Sequence, residues 1–160
     1  MSILPDGFEL PLATTLHAHH LAPFLKEADK QEIQAASGHP PLTALLESLV
    51  LSEESYAILK RGEVIGLFGL ASKEGIGIPW FLSSSAIKSD PKFITMLALK
   101  ALSAFHKSYP LLMNFCDARN TKTLKWLAWC GFKFTALIPD YGVEKRPFYQ
   151  FIRKREDLGV

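Results

Sequence analysis

Thiols are scarce in this chain: Cys116 and Cys130 are the only two among 160 residues. That number is too small for a disulfide framework, and each lies in an apolar setting. Both are expected to be reduced and packed, as in a protein made and kept in a cytoplasm. Long apolar runs are missing too. No segment approaches the roughly 20 residues needed to span a bilayer, and no basic region followed by an apolar run opens the chain. Charge of one sign is equally thin, with 18 basic against 16 acidic residues. A net charge of +2 argues against a nucleic-acid or membrane partner. There are no repeats, linkers or low-complexity tracts. The segment Leu82 to Lys92 contains no glycine.

What is present is a strongly hydrophobic, aromatic-rich composition, enough for one real core. The whole chain, residues 1–160, reads as a single domain. Gly7 to Leu12 is a short first strand. Helical spacing follows from Thr15 to Ala36, bent or divided by Pro23. Ser37 to Pro41 is a turn, and Pro41 to Leu51 is a further helix. Lys60-Arg61-Gly62-Glu63 links Tyr56–Leu59 to Val64–Leu70 as a hairpin. Ile78 to Leu82 is the next strand. Asp90 is placed to cap the longest helix, which runs to Tyr109 with Pro91 in its first position. Ile94, Leu97, Ala98, Ala101, Leu102 and Phe105 form its buried stripe, and Phe93 is expected to be buried with them. Leu111 to Cys116 is a strand, followed by a helix that Asn120 starts and Gly131 stops. Phe132 to Ile138 and Phe148 to Ile152 complete an α/β (α+β) pattern.

The strand–Asn–helix–Gly-Phe unit, Asn114 to Phe132, resembles the closing half of the GNAT acyltransferase fold, and the full element order is similar to that family's. The resemblance implies a mixed central sheet of about six to seven strands with helices on both faces. Ile78–Leu82 and Leu111–Asp117 would then be neighbouring parallel strands that splay at their C-terminal ends. It also implies acetyl-coenzyme A in the splay, with the pyrophosphate on amides at the start of the long helix, where glycines normally let the backbone approach. The corresponding residues here are Leu82, Ser83, Ser84, Ser85, Lys88 and Lys92, with Asn120 beside the pantetheine arm. Asp90 would compete for those amides and repel the ligand. A tyrosine general acid is common seven residues after the asparagine, and that position is Leu127. No catalytic residue is therefore assigned, and acetyl-coenzyme A is expected only if the protein is an active N-acyltransferase.

A second resemblance covers nearly the whole chain. Ala28-Asp29-Lys30-Gln31-Glu32-Ile33, Ser37-Gly38-His39-Pro40-Pro41, Pro79-Trp80-Phe81-Leu82, Asp117-Ala118-Arg119-Asn120 and Trp126-Leu127-Ala128-Trp129-Cys130-Gly131-Phe132 are similar to the short-tailed bacteriophage proteins that include internal virion protein A. It implies a phage or prophage product of the bacterial cytoplasm that acts in virion assembly or is incorporated in the virion, with phage proteins as partners.

Other groups have plainer readings. His17 and His20 share a helical face without the converging ligands that zinc requires. Glu53 and Glu54, read as a helix end, are an exposed acidic pair rather than a general base. Cys116 on a buried strand is expected to be inert. Of Trp126 and Trp129, one is expected to pack on the sheet and the other to be available for a protein contact.

Overall fold

Apolar residues of the central strands face both ways, so the sheet must be covered on both sides. In the computed structural model, which describes residues 4–158, seven strands form that sheet in the order β1-β2-β3-β4-β5-β7-β6. They are β1 (Phe8–Glu9), β2 (Ser52–Lys60), β3 (Glu63–Lys73), β4 (Ile76–Ser83), β5 (Leu111–Asp117), β6 (Lys133–Tyr141) and β7 (Arg146–Lys154). Helices α1 (Thr15–Leu21), α2 (Glu27–Ala36) and α3 (Pro41–Leu51) lie in the first half, and α4 (Pro91–Phe105) and α5 (Thr121–Trp129) in the second. This is the α/β domain with a mixed sheet that the sequence implies.

Pro23 divides the first helical stretch as expected: Ala22–Phe24 is a 3₁₀ turn between α1 and α2. The strands run longer than their apolar runs. Ser52 to Ser55 and Lys73 belong to ladders because cross-strand pairing recruits polar residues at strand ends. Glu53 and Glu54 therefore sit in β2, not at a helix end.

Two apolar clusters sandwich the sheet. Ala18, Leu21, Leu25, Ile33 and Leu45 pack with Ala57 and Leu67, so α1 to α3 cover one face. Leu102, Phe105, Leu127 and Cys130 pack with Leu70, Leu112, Phe132 and Phe151, which places α4 and α5 together on the other.

β4 and β5 are parallel and meet at one rung, Gly77 opposite Leu112, near their N-terminal ends. A Cβ on Gly77 would lie 2.7 Å from Leu112 Cδ2, so glycine is what lets the strands touch there. Beyond that rung they splay. Gly131 ends α5 with φ +96°, as its position predicts.

The α4 stripe is less uniform than expected. Ile94, Leu102 and Phe105 are buried, while Phe93, Leu97, Ala98 and Ala101 are half-buried. A void of about 80 Å³ lies beneath the helix, with apolar walls that include Phe68, Phe81, Leu97, Ala101 and Trp126, while Phe93 lies outside it against Phe8. Leu102→Ala is expected to destabilise the domain by about 2–5 kcal/mol in urea unfolding. Leu97→Ala should cost less, because it removes a side chain that is already incompletely packed. Equal losses would mean that the void is filled in solution.

Candidate functional site

Where two parallel strands separate, each exposes main-chain groups that a sheet would otherwise pair. Ser84 N donates to Ile65 O of β3 at 2.9 Å, so even-numbered residues at this end of β4 face β3 and odd-numbered ones face the splay. Three odd positions matter. Pro79 has no N–H, and its carbonyl accepts from Asn114 Nδ2 across the gap at 2.8 Å. Phe81 follows. Ser83, fully buried, has both groups engaged: its N–H donates to Asp29 Oδ2 at 2.9 Å and its carbonyl accepts from Lys26 N at 3.0 Å.

The partners of Ser83 come from the corner between α1 and α2. Leu25 forms an antiparallel bridge with Ser84. Lys26 Nζ donates to Asp29 Oδ2 at 2.7 Å and to Ser83 Oγ at 3.0 Å, with both ion-pair partners largely buried. A short length of the chain thus lies against the open edge of β4, locked by a charge pair that is itself hydrogen-bonded.

The serine loop differs from a phosphate cradle in the same way. Ser84 Oγ accepts from Ala86 N at 3.2 Å and caps a 3₁₀ turn over Ser85–Ser89. Ser85, Lys88 and Lys92 are exposed, and Leu82 packs against the α1–α3 cluster. Asp90 stands at the N-cap of α4, but its side chain makes no capping bond; it pairs with Lys60 Nζ at 2.6 Å. The expected competition of its carboxylate for the helix amides is therefore corrected: a lysine on β2 has captured it. Asn120 likewise occupies the N-cap of α5 without a side-chain bond, so the expected cap is absent there as well. It lines a pocket of about 240 Å³ with Gln31, Arg119 and Lys122, away from Ser83 to Ser85.

On the α4–α5 side, Trp126 Nε1 donates to Thr95 Oγ1 at 3.1 Å, and its ring lies 6.2 Å from that of Phe81. This ties α5 to α4 over the splay. Leu127 is buried in the core. Neither Tyr109 nor Tyr141 is a simple substitute for an acid there. Tyr109 donates its hydroxyl to Glu53, beyond the opposite end of β5, and Tyr141 stacks on Phe115 at 4.9 Å.

Among the carboxyl groups, that of Glu32 on α2 has the most altered acidity. Its Oε1 accepts from Asp117 N at 2.8 Å, and burial raises its carboxyl from 4.5 to about 7; the Asp117 amide opposes this and the Asp29 charge adds to it. Burial also pushes the Cys116 thiol up, with Glu32 reinforcing the effect, which leaves no thiolate at neutral pH. Burial opposes ionisation of Asp117, but hydrogen bonds and charge from Arg119 outweigh it and hold that carboxyl below its usual range. His17 completes a capping box with Thr14. Among the described residues, no group of three or more His, Cys, Asp or Glu is arranged to hold a metal.

Solved structures share this architecture. A probable GNAT-family acetyltransferase from Chromobacterium violaceum matches with TM-score 0.73 and 15% identity, over 98% of this chain and 92% of its own. A GCN5-related N-acetyltransferase from Kribbella flavida gives 0.69 and 14%, over 94% and 99%. The fold is that of the GCN5-related N-acetyltransferases. A Bacillus subtilis acetyltransferase solved with coenzyme A gives 0.65 and 15%, over 92% and 97%. No family profile matches the chain, and no curated protein matches it significantly. At these identities the GNAT likeness is one of fold.

Sequence reading missed the roles of Lys26, Asp29 and Glu32 at this site. All three lie in or beside the Ala28–Ile33 segment, but nothing in their spacing reveals that they meet β4 and β5.

The raised acidity constant of Glu32 gives a signed prediction. The native state favours the protonated form, so folding stability should fall as pH rises from about 4.5 to about 7 and level off above. Glu32→Gln keeps an acceptor for Asp117 N and should flatten that slope, gaining on the order of 1–3 kcal/mol over the parent at pH 8. Urea melts across pH 5–8 check this; parallel curves for the two proteins would refute it.

Proposed function

We propose that this chain is a GNAT-fold protein in which acyl transfer has been lost and which acts through contacts with other macromolecules. The resemblance to short-tailed phage proteins supplies the setting: a phage or prophage product of the bacterial cytoplasm, used in virion assembly or carried in the virion with phage proteins as partners. The observation that supports loss of transfer most directly is the engagement of Ser83 by Asp29 and Lys26.

The residues present do not fit acetyl-coenzyme A well. A ligand arm seeking main-chain pairing along β4 finds Pro79 without a donor and Ser83 already bonded. The loop before α4 has no glycine for close approach, Ser84 serves its own turn, and Pro91 removes one of the free amides at the helix start. Lys88 and Lys92 alone offer charge to a pyrophosphate.

A second reading, an active acetyl-coenzyme A-dependent N-acyltransferase with a non-standard phosphate loop, draws on the splay itself and on the coenzyme-bound Bacillus subtilis neighbour. Calorimetric titration separates the two. Acetyl-coenzyme A should give no saturable heat below about 100 μM, weaker than about −5.5 kcal/mol. Asp29→Ala releases Ser83 N and should not bind more weakly than the parent. Low-micromolar binding together with acetyl transfer to a polyamine or peptide amine would reverse the ranking. The partner half is tested by co-purification from phage-producing cells, where association with a phage component is expected. Recovery of the protein free of every such component would leave the virion role unsupported.

A further inference from the structure

The near-neutral total charge hides a strong segregation. Residues 91–133 hold seven basic residues and one acidic residue, leaving eleven basic and fifteen acidic elsewhere. The single acid, Asp117, is buried and paired with Arg119. Neither α4 nor α5 contains an aspartate or glutamate. Lys92, Lys100 and Lys107 follow one exposed stripe along α4 and past its end, with Met96 between them. Lys122, Lys125 and Trp129, spaced i, i+3 and i+7, make a second exposed stripe on α5. The two helices cover the same sheet face, sharing one core and joined by the Trp126–Thr95 bond. None of these five lysines forms an ion pair among the described residues. The α4 stripe runs about 22 Å at 1.5 Å per residue.

A face of unpaired lysines, with Glu156 beside Lys107 at one end only, repels itself and attracts a polyanion. We propose that the α4–α5 face binds single-stranded nucleic acid, its phosphates along the lysine stripes and a base on Trp129. Lysine is depleted in protein–protein interfaces but is the ordinary partner of phosphate backbones, which favours nucleic acid over an acidic protein. Trp129, 70% exposed, offers a flat ring beside those charges, and base stacking on such a ring requires an unpaired strand. Apart from Lys92, this site uses none of the residues weighed for coenzyme A binding.

Fluorescence anisotropy of a labelled oligothymidylate of about 15 nucleotides, titrated with the full chain, tests it. Micromolar binding at 50 mM salt is expected, falling steeply with added salt. Lys100→Glu/Lys125→Glu should weaken it at least tenfold and reduce the slope of log K against log[salt] by about 1.4. Lys30→Glu/Lys73→Glu carries the same net charge off this face and should stay within about threefold of the parent. Trp129→Ala should weaken binding several-fold with little change in that slope. Thermal melts confirm that each variant folds. Absence of binding at 50 mM salt, or an equal loss in both double variants, overturns the proposal. Equal competition by polyglutamate with a neutral Trp129→Ala overturns it in favour of an acidic protein surface.

Discussion

A parallel strand pair joined at one rung leaves main-chain groups that must still find partners, and much of this domain is arranged around that demand. Gly77 lets β4 approach β5 closely enough to form the rung with Leu112. Past it, Asn114 reaches across to Pro79, and the α1–α2 corner supplies Lys26 N and the Asp29 carboxylate to Ser83. An unsatisfied buried amide or carbonyl costs on the order of 1–3 kcal/mol. A corner that satisfies both groups of one residue is thus a substantial local constraint, and the Lys26–Asp29 pair is tolerated in a largely buried place because it is hydrogen-bonded as well as neutralised.

The same arrangement explains why a GNAT fold need not imply GNAT chemistry. The fold provides a cleft between two strands, and what the cleft does depends on which groups remain free in it. Here the edge of β4 is largely occupied by the chain itself, α5 is pinned to α4 through Trp126, and Leu127 is part of the core. The titratable groups near the end of β5 are also kept quiet: burial favours a protonated Glu32 and a neutral Cys116, while Arg119 keeps Asp117 ionised and paired.

Covering the sheet on both faces has an electrostatic consequence. The α1–α3 side carries acids and bases together, including the Lys26–Asp29, Lys30–Glu27 and His39–Glu47 pairs. α4 and α5 carry exposed lysines and no acid. Averaging the two into a net charge of +2 removes the one feature that bears on a partner, because only the fold decides which residues share a surface.

Element order, the Pro23 break, α3 with both its ends, the Gly131 stop and the parallel relation of β4 to β5 were all legible in the sequence. Each rests on local periodicity, on backbone preferences of proline and glycine, or on the resemblance in element order. The caps were not. Asp90 and Asn120 have the right chemistry in the right place, yet Lys60 from a distant strand captures Asp90, and the Asn120 side chain forms no bond to its helix. The serines of the loop after β4 were legible as polar, but their hydrogen bonds were not, since their partners Asp29 and Ile65 lie 54 and 19 residues away. Sequence by itself determined which segments become helix or strand, because those preferences act over a few residues. Tertiary structure alone decided which polar groups are spent inside the molecule and which charges stand together outside it, because both depend on contacts between segments remote in the chain.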